Sequence, residues 1–140
     1  MERSNIMRSI ILVVLLAVFG CGSGPASTPA SEWRILRIGA DTGSAPGLQE
    51  NCPAALAFAG SSWSCSDSDR LVLFADSTFT FNAGGRAYSG VFKRTAPSYR
   101  FVTGGRVTHG TTNGSLDESR MTLIDPTNTK VFYSLERISP

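Results

Sequence analysis

At 140 residues the chain is long enough for one domain of the common ~100–150-residue size and short for two. Its 13 basic and 11 acidic residues leave a net charge of +2, too slight to specify a partner, and nothing resembles the basic stripe that a phosphate backbone demands. Nucleic acid is disfavoured as a ligand, and with a single histidine and three cysteines the means for metal or acid–base chemistry are few.

The first element in chain order is an export signal. Arg3 and Arg8 precede residues 10–19, ten uncharged apolar positions, and the small Gly20 then precedes Cys21. A positive end, an apolar stretch and small residues at a cut is the order that exported chains carry. The stretch is too short to span a bilayer, whose ~30 Å core needs ~20 helical residues. Arg3, Arg8 and Glu2 lie ahead of the apolar run, so the remainder holds 11 basic and 10 acidic residues.

Val18, Phe19, Gly20 and Cys21 resemble the lipobox of bacterial lipoproteins. The resemblance implies that the chain is cut before Cys21, which becomes the first residue and carries lipid, palmitate included, on its sulfur and amine. The alternative is an ordinary signal cut near Ala26 or Ala30. Several acyl chains, at ~0.8 kcal/mol per buried CH₂, give lasting attachment where one would not. Gly22 in place of Asp after the lipidated cysteine implies, by the same resemblance, sorting to the outer membrane where a second membrane exists. Residues 22–31, GSGPASTPAS, have no apolar side chain larger than Ala and read as a flexible tether with a reach of about 15–20 Å. The expected organisation is a signal peptide over 1–20, a tether over 21–31 and one folded domain over 32–140.

Without Cys21 the cysteines form an even pair, Cys52 and Cys65. In an exported chain such a pair reads as a disulfide, closing a loop of about fourteen residues at roughly 3 kcal/mol in the loop-entropy estimate. A CxxC redox motif is absent and a metal site needs more ligands.

EWRILRIG is the first expected strand, with Trp33, Ile35 and Arg37 on one side and Arg34, Leu36 and Ile38 on the other. PAALAFAG, with Pro53 where a first helical turn tolerates it and Ala and Leu at helical density, predicts one short helix inside the disulfide loop, covering one end of the domain. From Cys65 onward the punctuation is regular. DRLVLFA, STFTFNA, RAYSGVFKR, SYRFVTG, RVTHGTT, SRMTLID and KVFYSLERI are β-branched or aromatic segments separated by turn formers, among them Asp76-Ser77, Gly84-Gly85, Gly104-Gly105 and Asn113-Gly114. Alternation puts Phe79 and Phe81 on one face opposite Thr78 and Thr80, groups Tyr88, Gly90 and Phe92, and sets Phe132 against Val131, Tyr133 and Leu135.

These segments predict an all-β fold. It is an antiparallel meander of about eight strands, closed or nearly closed into a small up-and-down barrel whose interior is filled by side chains or holds one small ligand. LVLFADSTFTF, followed by YSGVFKR and closed by SRMTLID and KVFYSLER, resembles the lipocalin-like β-barrels of small bacterial lipoproteins. Ser77 stands where their hairpin usually has Gly, and Trp63 after Gly60-Ser61-Ser62 is similar to their opening Gly-x-Trp with one residue more. The resemblance implies the fold and not the ligand.

No catalytic constellation is legible. His109 reads as a half-exposed strand residue, with no free cysteine nucleophile and no serine in a Gly-x-Ser-x-Gly setting. Asp67, Ser68 and Asp69 read as a polar turn rather than a cation loop, which would need further ligands, a glycine and a Glu. Lys93, Arg100 and Arg106, if they shared a barrel face, would make a basic patch for anionic lipid or a peptidoglycan fragment, with Arg86 and Arg94 nearby. The plainer expectation is that these are ordinary outward positions of strands.

The functional expectation is a monomeric, non-enzymatic lipoprotein of the bacterial cell envelope. It is attached to membrane through Cys21, needs no cofactor or metal, and binds a small apolar ligand or an envelope protein by residues that the sequence does not name. The alternative is an inhibitor of a lytic enzyme or an assembly factor. WSCSDSDRLVLF and RAYSGVF are similar to the membrane-bound lysozyme inhibitors, whose Ser-Gly loop would be matched by Ser89 and Gly90.

Overall fold

The computed structural model describes residues 27–114 and 118–139. Eleven strands follow one another there: β1 (Pro29–Ala40), β2 (Leu48–Asn51), β3 (Ala54–Phe58), β4 (Ser61–Cys65), β5 (Arg70–Phe74), β6 (Thr78–Ala83), β7 (Arg86–Thr95), β8 (Ser98–Thr103), β9 (Arg106–Thr112), β10 (Arg120–Ile124) and β11 (Val131–Ser139). Strands β5 to β11 pair in sequence, and β1 pairs antiparallel with both β5 and β11. The result is a closed eight-stranded antiparallel barrel, which leaves its eight strands no free edge.

The eight barrel strands coincide with the eight segments read from alternation. Glycine pairs make two of the connections: Gly84-Gly85 and Gly104-Gly105 all have positive φ, between 54 and 81°, the geometry of tight hairpins. β1 begins at Pro29, inside the stretch whose composition reads as tether, and Ser31 is already buried, accepting from the Trp33 indole N–H at 3.2 Å.

Two expectations are corrected. The helix over PAALAFAG is instead the hairpin β3–β4, in which Leu56 faces Trp63 and Phe58 faces Ser61 across an Ala59-Gly60 turn with positive φ at both residues. The Cys52–Cys65 disulfide, Cα–Cα 5.5 Å, ties the two ends of this hairpin, and Leu56 and Trp63 are buried against the barrel. A helix over the same residues would forgo that pairing. In β1, alternation breaks at a bulge between Ile35 and Arg37, so Ile38 turns inward and Arg37 outward, the reverse of the simple period-two reading.

The bulge bears on the barrel's shape. β5 pairs with β1 only as far as Arg34, and the remainder of β1, from Arg37 to Ala40, takes β2 as its partner. Hairpin β3–β4 covers this end. Arg86 stacks on the Trp63 ring at 3.7 Å and donates to the Ser62 carbonyl, while Asp69 Oδ2 accepts from the backbone of both Ser66 and Gly84.

Strand polarity sorts the remaining features by end. Pro29, the β5–β6 turn, the Ala96-Pro97 turn and Ser139 lie at one end, here the proximal end. Hairpin β3–β4, the two glycine turns and the loop before β11 lie at the other. The Thr28 carbonyl accepts from Ala75, and Ser27 donates to Asp76 Oδ2, so the start of the described chain is fastened to the proximal rim.

Candidate functional site

The barrel axis is occupied by side chains. Trp33, Ile38, Leu71, Phe81, Phe101, Leu123, Tyr133 and Leu135 are each less than 2 % exposed, and the rings interlock edge to face, Phe79 on Phe101 at 5.0 Å and Phe81 on Tyr133 at 5.1 Å. Such a packed interior directs attention to the outer wall.

On that wall three short hydroxyl side chains stand in one row. Thr111 of β9 faces Thr122 of β10, Thr122 faces Ser134 of β11, and Ser134 faces Arg37 of β1. Because these side chains are short and their neighbours long, a trough of about 420 Å³ runs over them, with Leu36 of the bulge in its wall. An arginine is fixed on each side. Arg37 donates to Asn51 Oδ1 and Gln49 Oε1 of β2, both at 3.1 Å, and Arg120 pairs with Glu136, which Arg34 also holds at 2.6 Å. Hydroxyls and guanidinium donors in a preformed trough suit an anionic or hydroxyl-rich segment.

The residues singled out from the sequence fall elsewhere. Cys21 lies outside the described residues. Asp67 is exposed, whereas Asp69 is buried and spends Oδ2 on backbone amides. Among the described residues no group of three His, Cys, Asp or Glu is arranged to hold a metal. Ser89 and Gly90 sit in mid-β7, Ser89 opposite Thr80 and exposed, Gly90 turned inward opposite Phe79.

The five basic residues separate by role. Arg86 stacks on Trp63. Arg94 donates to Glu118 Oε2 at 2.6 Å, and that oxygen also accepts from Tyr99 Oη at 3.3 Å. Burial, with the Glu118 charge added, pushes the pKa of the Tyr99 phenol above the ordinary tyrosine value. Arg106 opens β9 opposite Thr103, out of phase with the outward residues Val107, His109 and Thr111. Lys93 and Arg100 are direct cross-strand partners on the outer wall, and Arg100 faces His109.

The trough could not be found from the sequence, because its floor joins positions 111, 122 and 134 through the registers of three strands. Alternation alone marks each of them as outward. Against protein families, curated proteins and solved structures the chain gives no match.

Proposed function

We propose that the protein is an exported, lipid-anchored lipoprotein of a bacterial envelope, and that its barrel, without catalysis, binds an anionic segment of an envelope partner along the β9–β10–β11–β1 trough. The observation that carries this reading is the filled axis: large side chains occupy the place a small ligand would take, so recognition falls to the outer wall. Arg37, held by the neutral amides of Asn51 and Gln49, and Arg120, beside Glu136, bring guanidinium donors to the two sides of the trough. The signal, Cys21 and the tether composition support the anchored location.

The test has two arms. In a bacterial host, mass spectrometry of the mature amino terminus should find diacyl or triacyl modification on Cys21, and Cys21→Ala should release the protein from membranes. A photo-crosslinking residue at Thr122 should capture a partner that one at Thr80 does not, and Arg37→Glu with Arg120→Glu should abolish the adduct. An unmodified Cys21 overturns the anchor, and an adduct indifferent to both charge reversals overturns the trough.

A further inference from the structure

We infer that the outer wall of β7, β8 and β9 docks on an anionic bilayer surface. The register places two rows side by side on this wall. In one, Val91 faces Val102 and Val102 faces Val107; in the other, Lys93 faces Arg100 and Arg100 faces His109. Val91 and Val107 are 53 % and 46 % exposed, and with Val102 between them they make a continuous apolar strip on the outer wall.

Like charges directly opposite one another weaken a sheet, and among the described residues no carboxylate lies within ion-pair distance of Lys93, Arg100 or His109. Of the other basic side chains of this region, Arg86 and Arg94 are engaged by Trp63 and Glu118, and Arg106, exposed at the start of β9 opposite Thr103, is out of phase with the outward row. A cationic row beside an apolar one matches a bilayer interface, where headgroup phosphates meet the cations and the acyl boundary receives the valines.

The position of the chain's start favours a membrane over a free acidic partner. Attachment to the barrel begins at Ser27 and Thr28, at the same end as the Ala96-Pro97 turn, and Lys93 and Arg100 lie only two residue pairs from that turn. Six residue steps separate Cys21 from Ser27, at most about 22 Å when fully extended. A lipid on Cys21 therefore confines the barrel at millimolar effective concentration near the surface, enough for a patch too weak to bind alone. For this confinement the inference rests on the anchored reading above. The trough is centred two and a half strands further round from β8, between β10 and β11, and points to a different side.

The barrel and its core are complete within the described residues, so a chain of residues 21–140 can be made without the signal. With Cys52 and Cys65 in the disulfide, the Cys21 thiol is left for coupling to a maleimide lipid in nanodiscs, independent of whether cells lipidate it. Nanodiscs of phosphatidylcholine with and without phosphatidylglycerol, doped with a gadolinium lipid, are then compared by NMR. On the anionic discs the amides of β7–β9 should relax fastest, and Lys93→Glu with Arg100→Glu should lower the docked-to-undocked ratio by at least about 30-fold, flattening the pattern. Val91→Ser with Val107→Ser should lower it less while leaving its salt dependence intact. A relaxation pattern unchanged by the charge reversals, equal on neutral discs, or strongest at β10–β11 would overturn the inference. Failure of cells to modify Cys21 would overturn the anchor and leave the nanodisc result standing.

Discussion

Inside the barrel, Tyr133 Oη donates to Asp125 Oδ2 across 2.7 Å, while Oδ1 of the same carboxylate accepts from Thr127 N, Thr127 Oγ1 and Asn128 N. Asp125 is 1 % exposed, so one side chain both satisfies a core phenol and shapes the loop leading into β11. Asp125→Ala strands these donors and should cost about 2–4 kcal/mol. Asp125→Asn, which keeps an acceptor oxygen, should cost less. Urea midpoints of the two variants against the parent decide the order.

The same relationship fixes the response to alkali. Burial above all, and then the Asp125 charge, push the pKa of the Tyr133 phenol far above the ordinary tyrosine value. The sign follows: below about pH 10 both folded and unfolded chains hold this proton, and above it the unfolded chain loses it first, so stability falls by about 1.4 kcal/mol per pH unit for this residue. Urea midpoints measured from pH 8 to 11 should be level and then decline, with Tyr133→Phe declining less steeply.

The disulfide pins hairpin β3–β4 and none of the eight barrel strands. Reduction, or Cys52→Ser with Cys65→Ser, should lower stability by about 3 kcal/mol, or roughly 10 °C in melting temperature, while the β-sheet circular dichroism of the barrel persists below the transition. Loss of the sheet signal on reduction at 25 °C would mean that the hairpin is needed for closure.

A Cβ at Gly90 would run into the Val102 carbonyl, which is backbone and cannot turn aside, and would also approach Thr103 Cα at 3.2 Å. Gly90→Ala should therefore cost at least about 2 kcal/mol, whereas Ser89→Ala next to it, exposed on the outer wall, should stay within about 0.5 kcal/mol. Thermal melts of the pair separate strain at one position from general intolerance of β7.

Arg86 lies over Trp63 and bonds the Ser62 carbonyl, joining hairpin to barrel. Arg86→Ala should weaken the fold by about 1–2 kcal/mol and shift tryptophan emission to the red as Trp63 gains water. Arg86→Lys, lacking the planar group, should restore little. An unchanged spectrum in the alanine variant would show that hairpin docking does not depend on this stack.

How much was legible follows from the range over which each signal acts. Phe79 and Phe81 against Thr78 and Thr80, or Val131, Tyr133 and Leu135 against Phe132, carry the burial pattern in adjacent positions, because a strand's side-chain period of two is local. Residues 54–58 carry the opposite local preference. Ala and Leu favour a helix, and only pairing with Ser61–Cys65, the disulfide and the burial of Leu56 and Trp63 make them a strand.

By itself the sequence determined eight strands, their order, the inward faces of β6, β7 and β11 and the cysteine pair, since alternation, turn residues and composition act between near neighbours along the chain. The tertiary structure alone decided the bulge at Leu36, the β3–β4 cover, the filled axis and the two outer surfaces. Those depend on which residues the closed sheet sets opposite one another, and closure joins Glu32 to Ser139, a register that no local stretch encodes.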